Sequence, residues 1–119
     1  MLSIGLVFVA ALPWSDRVGH SHWLRVDWVP FVSRRFRAID VTANVLLCMP
    51  LGATAALVFN RGVAAAAMIS LPLSMFVEWT QVYSHLRFPS MTDVACNVAG
   101  AMVAAALVRR VERRSRTTQ

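Results

Sequence analysis

The chain has 119 residues, enough for one domain, with 57% hydrophobic residues, 15% charged residues and a mean hydropathy of +0.55. Soluble domains run nearer about 45–50% apolar and about 25% charged, so an ordinary soluble globule is excluded and a membrane protein is expected. The formal charge of +6 rests on twelve arginines and no lysine. They lie in loops and a tail between apolar blocks, not along one solvated face, so no nucleic-acid partner is expected.

Four apolar blocks follow in chain order. Leu2 to Trp14 is about 13 residues, roughly 20 Å as a helix, against a hydrocarbon core of ~30 Å. It reads either as a signal peptide or as a short first span. With no basic residue before it and no small-x-small cleavage pattern after it, the span is preferred. Ser15 to Asp40 is polar, with five arginines, three aspartates and two histidines. Trp14, Trp23 and Trp28 suit an interfacial aromatic belt. Phe31 to Ile39, with Arg34, Arg35 and Arg37 among Phe31, Val32, Phe36 and Ile39, suits a short amphipathic helix on the membrane surface.

The second span is expected over Val41 to Phe59, interrupted by Pro50 and Gly52. Asn60-Arg61-Gly62 is a tight turn, so the third span, Gly62 to about Tyr83, is its antiparallel neighbour, with Pro72 as a kink. After a short loop, His85 to Ser90, the fourth runs from Met91 to Val108. Arg109, Arg110, Arg113, Arg114 and Arg116 then crowd the end, which places the C-terminus in the cytoplasm by the positive-inside rule. The Ser15 to Asp40 segment, put outside by this topology, also carries five arginines. The tail is denser and abuts a span, so it prevails. The fold class is therefore all-α: a polytopic membrane protein of about four transmembrane helices in a small bundle. Cys48 and Cys96 fall inside apolar blocks and read as small buried hydrophobes, not as a disulfide.

Polar residues interrupt these blocks at helical spacing. Ser70, Ser74, Glu78 and Gln81 share one face of the third span; Asp93, Asn97, Gly100 and Ala104 share one face of the fourth; Asn44, Cys48 and Gly52 make a stripe on the second. The three faces can converge on a common interior, with small residues permitting close approach. Each also has a structural reading. Ser90-Met91-Thr92-Asp93 has the shape of a capping box. Asn44 and Asn97 can be interhelical hydrogen-bond glue, and Arg87 a solvated topology charge. Glu78 is hardest to explain away, because a carboxylate that deep must find Arg87, take up a proton or face water. His20-Ser21-His22 lacks a nearby third ligand, so no metal is expected. No phosphate loop, Ser/His/Asp order or HExxH is present, and no cofactor is expected.

Asn44 through Met49-Pro50-Leu51-Gly52, then Ser74-x-x-x-Glu78-x-x-Gln81, Arg87, and Asp93-x-x-x-Asn97-x-x-Gly100 together resemble the VanZ-like family of small bacterial integral membrane proteins. The resemblance covers roughly Asp40 to Leu107, and Asp40 itself suits it; Cys48 stands where the family commonly has an aromatic. The family takes its name from accessory resistance to teicoplanin, a glycopeptide. The resemblance implies a bacterial cytoplasmic-membrane protein whose polar positions are Asn44, Glu78, Gln81, Arg87, Asp93 and Asn97. Hydropathy and charge, with this resemblance for the core, divide the chain into a first short helix (1–14), an extracytoplasmic loop carrying the expected interfacial helix (15–40), a VanZ-like three-helix core (41–108) and a basic cytoplasmic tail (109–119).

The leading expectation is a non-enzymatic envelope protein whose polar pocket binds a lipid headgroup, a lipid-linked wall precursor or an amphiphilic glycopeptide, with Arg87 on an anionic group. The alternatives are an intramembrane lipid-modifying enzyme using Glu78 or Asp93 as acid and base, and a structural subunit of a membrane complex. The sequence sets no oligomeric state.

Overall fold

The computed structural model describes residues 2–12, 19–32 and 37–117. Four α-helices account for most of them: α1 (Leu2–Ala11), α2 (Ala38–Val58), α3 (Gly62–Gln81) and α4 (Met91–Thr117). A single turn of 3-10 helix, Trp23–Arg25, lies between α1 and α2. Among the described residues extended pairing is limited to one isolated parallel bridge, Asp27 with Ser90.

Among the described residues three helices are long and apolar enough to cross a membrane: α2, α3 and α4. The fourth span expected over Leu2 to Trp14 is not among them. α1 has 10 residues, about 15 Å, half of what a span needs. Its last helical residue lies two positions before Pro13, and the residue preceding a proline is turned away from helical geometry. α1 instead rests on α2, with Val7 buried in the bundle core. Within the expected surface helix Phe31 to Ile39, residues 33–36 lie outside the described residues. Phe31 and Val32 are not helical, and Ala38 and Ile39 already belong to α2. Trp14 also lies outside the described residues.

α2 and α3 continue through Pro50 and Pro72 and are joined by the turn at Asn60 and Arg61. α4 runs nine residues past Val108, so the basic tail is a helical extension of the last span up to Thr117. Arginine and glutamate are good helix formers and no glycine or proline follows Gly100. Arg109 and Glu112 pair at 3.0 Å on this extension, and the Arg109 guanidinium also donates to the Phe59 carbonyl at the C-terminus of α2. A cation there satisfies an orphan carbonyl and complements the helix dipole.

The bundle is small inside and large outside, the arrangement a lipid solvent favours. Cys48, Ala55, Ala56, Ala66, Ala101 and Ala105 form the centre, while Leu46, Leu57, Met68, Leu71, Phe76, Trp79, Val103 and Leu107 are exposed. α4 is the hub, packing on both α2 and α3. Two glycines set the α2–α4 distance: a Cβ on Gly52 would fall on the Ala101 carbonyl, and one on Gly100 on the Val45 carbonyl. No side chain fits between these backbones.

Candidate functional site

The polar faces meet where α2 begins, α3 ends and α4 begins. On α3, Ser70, Ser74, Glu78 and Gln81 are all buried. On α4, Asn97, Gly100 and Ala104 are buried and Asp93 is half-buried; on α2, Cys48 and Gly52 are buried and Asn44 half-buried. Asn44, Glu78, Gln81, Arg87, Asp93 and Asn97 all line one cavity of about 580 Å³. That size falls in the range of small-ligand sites, about 300–1,000 Å³.

The start of α4 forms the cavity's rim, and its first four backbone donors are all accounted for. The Ser90 N–H donates to Oε2 of Glu78 at 2.7 Å, and the Met91 N–H to the Asp27 carbonyl at 3.0 Å. The Thr92 N–H donates to the Ser90 hydroxyl at 3.1 Å, and the Asp93 N–H turns back to the Ser90 carbonyl at 3.1 Å. A helix start left otherwise would bury unpaired donors. Ser90 is thus a capping residue, as its spacing suggests, but the reciprocal bond to its own N–H comes from Glu78 on α3 and not from Asp93. Asp93 is left to accept from the Asn44 side chain, which ties α4 to α2.

Arg87 is exposed on the loop after α3 and acts on the Glu78 and Asp93 carboxylates through space. Its position is set by Ser84, fully buried, whose hydroxyl accepts the Leu86 N–H at 3.2 Å and the Arg87 N–H at 3.0 Å. Deeper in, two buried acceptors lack a partner among the described residues: Oγ of Ser74 and Oδ1 of Asn97. Asn97 lines the cavity, so its carbonyl oxygen is available to a donor placed there.

Among the described residues three further charged ones line the cavity: Asp27, Arg37 and Asp40. The sequence places Asp27 in a polar loop and Arg37 on an expected amphipathic surface helix, and marks neither as a site residue. No periodicity could have found Asp27, because its position comes from pairing across the chain. The Asp27 N–H donates to the Pro89 carbonyl at 2.9 Å, and the Phe31 N–H to the Thr92 hydroxyl at 2.8 Å. Phe31 reaches that bond with φ at 61°, a left-handed conformation uncommon outside glycine. Among the described residues the wall thus presents four carboxylates, Asp27, Asp40, Glu78 and Asp93, against two guanidiniums, Arg37 and Arg87.

Aromatic residues gather at the same end. Trp23 and Trp28 stack with centroids 6.5 Å apart and are both exposed, and Trp79 meets Tyr83 edge to face at 5.9 Å. Tryptophan and tyrosine rings of this kind are enriched at membrane–water interfaces.

Comparison with curated proteins returned no match, nor did comparison with solved structures. A family model described as VanZ/LLP1 matches residues 1–112, nearly the whole chain and a span that contains the six polar positions. With three helices of spanning length around that polar centre, this chain belongs to the VanZ/LLP1 family.

Proposed function

We propose that the cavity binds the polar end of an amphiphile at the outer face of the bacterial cytoplasmic membrane. The ligand class is a lipid headgroup, a lipid-linked wall precursor or an amphiphilic glycopeptide, and the role is one of envelope maintenance or glycopeptide tolerance. The observation carrying this reading is the meeting of polar side chains from three spans in one cavity, with the Asn97 carbonyl oxygen buried and unpartnered at its wall. Carboxylates and arginines in such numbers favour a zwitterionic group. An ammonium would sit among Asp40, Asp93 and Asn97, and a phosphate or carboxylate against Arg87, whose planar fork suits either.

The topology that goes with this function has the basic end of α4 in the cytoplasm and the cavity opening outward. Binding is non-catalytic in this account: Glu78 is held by the Ser90 N–H and Asp93 by Asn44, so both acids already serve the packing of the bundle.

The test is binding of purified protein in lipid nanodiscs to three headgroup-labelled probes: phosphatidylethanolamine, a lipid-linked disaccharide-peptide and teicoplanin. One of them should bind the wild type saturably and bind Asp93→Asn and Asn97→Leu at least about tenfold more weakly, the loss expected of about 1.4 kcal/mol or more. Equal binding by the wild type and both variants would overturn the assignment.

A further inference from the structure

Outside the cavity, the fold completes a histidine set that the sequence leaves one ligand short. His20 and His22 lie between α1 and the 3-10 turn, and His85 follows α3. The two segments are pinned together: the His22 N–H donates to the Val82 carbonyl at 2.9 Å, and Nη1 of Arg25 to the His85 carbonyl at 3.2 Å. One ring nitrogen from each histidine lies within 4.8 Å of the other two. Nε2 of His22 and Nδ1 of His85 are 3.2 Å apart. The ring centroids are 4.7, 5.5 and 4.9 Å apart for His20–His22, His20–His85 and His22–His85.

We propose that His20, His22 and His85 form a binding site for a divalent transition-metal ion of the zinc type. Zinc binds imidazole nitrogen at about 2.0–2.1 Å, and tetrahedral geometry then sets neighbouring ligands about 3.3 Å apart. The His22–His85 edge already has that length. The other edges need to close by at most about 1.5 Å, within reach of χ rotation for the exposed rings of His20 and His85. The set is all nitrogen, which selects zinc, copper or nickel over magnesium and calcium, whose ligands are oxygens. Two of the three rings are solvent-exposed, so an aqueous ion has access.

Three protein ligands leave a fourth position open. Arg25, held over the Phe88 ring at 5.7 Å and bonded to the His85 carbonyl, puts a second positive group beside the ion, which favours an anion there. The position also matters for the cavity. His85 directly precedes Leu86 and Arg87, and His22 lies on the segment that carries Asp27; all three residues line the cavity. A bound ion would fasten these two edges to each other. The metal site does not depend on the ligand class assigned to the cavity.

The test uses the full chain without an affinity histidine tag, stripped with a chelator and held in nanodiscs. Titration with Zn(II) by calorimetry should give one ion per chain, and Co(II) should give the intense visible bands of a tetrahedral site. Each of His20→Ala, His22→Ala and His85→Ala should weaken Zn(II) binding by at least about tenfold while the far-ultraviolet circular dichroism stays unchanged. Zn(II) should also raise the melting temperature of the wild type and not of the triple variant. Absence of binding by the wild type, a weak octahedral Co(II) spectrum, or undiminished binding in the three variants would overturn the site. Should a variant fold poorly, the wild-type Co(II) spectrum decides alone.

Discussion

Glu78 and Ser90 are joined across twelve residues of sequence by a single bond, the Ser90 backbone N–H donating to Oε2 of Glu78 at 2.7 Å. It explains how an acid can stand buried in the last turn of an apolar helix. Glu78 replaces the acid that a capping box would take from α4 itself, and so Asp93 can turn toward Asn44 on α2. One carboxylate closes the rim between α3 and α4, and the other holds α4 to α2.

This assigns Glu78 a packing role that depends on its oxygen and not on its charge. Glu78→Gln keeps an acceptor for the Ser90 N–H and should unfold within about 1 kcal/mol of the wild type, whereas Glu78→Ala strands that donor and should cost about 1–3 kcal/mol. Denaturant titration in mixed micelles reads the difference. Equal losses in both variants would assign the effect to charge.

The α2–α4 contact should be intolerant of any side chain at two positions. Gly52→Ala and Gly100→Ala each drive a methyl group into a facing carbonyl, and helix separation should cost about 1–3 kcal/mol. Gly5→Ala meets nothing within 4 Å and should be neutral or stabilising by up to about 1 kcal/mol, since alanine is the better helix former. Melting temperatures of the three variants check this.

Arg109 should matter and Arg110 should not. Arg109 bonds the Phe59 carbonyl and Glu112, while Arg110 is exposed on the next position of the helix. Arg109→Ala should destabilise by about 1–3 kcal/mol, and Arg110→Ala should stay within about 0.5 kcal/mol, measured by the same titration.

Ser84 should set the mobility of the Arg87 loop. Ser84→Ala removes the shared acceptor of the Leu86 and Arg87 amides, and hydrogen exchange at those two positions should rise while exchange in the α4 centre stays unchanged.

Much of this architecture is written in helical spacing. The stripe Ser70, Ser74, Glu78 and Gln81 is buried as a unit, and Asn97, Gly100 and Ala104 follow the same rule on α4. A 3.6-residue period in a lipid solvent admits only one inward face, so the inner sides of α2, α3 and α4 were legible. The first helix was not, because hydropathy reports apolar length and not where a helix ends; α1 stops at Ala11. Asp27, Arg37 and the Glu78–Ser90 bond carry no local signal. Asp27 reaches the cavity through backbone pairing with the Pro89 to Met91 stretch, a contact set by tertiary structure alone. The third histidine escaped for the same reason, being 63 residues from His22.

Thiol accessibility reads whether three spans enclose a polar cavity open to water. In a background carrying Cys48→Ala and Cys96→Ala, Asn97→Cys would be treated with a membrane-impermeant cationic methanethiosulfonate. Phe76→Cys, on the lipid-exposed side of α3 and about as far from its helix end, is the control. The account predicts rapid modification at position 97, slower modification by the anionic analogue because of the surrounding carboxylates, and none at position 76. A position 97 as inert as position 76 would contradict it.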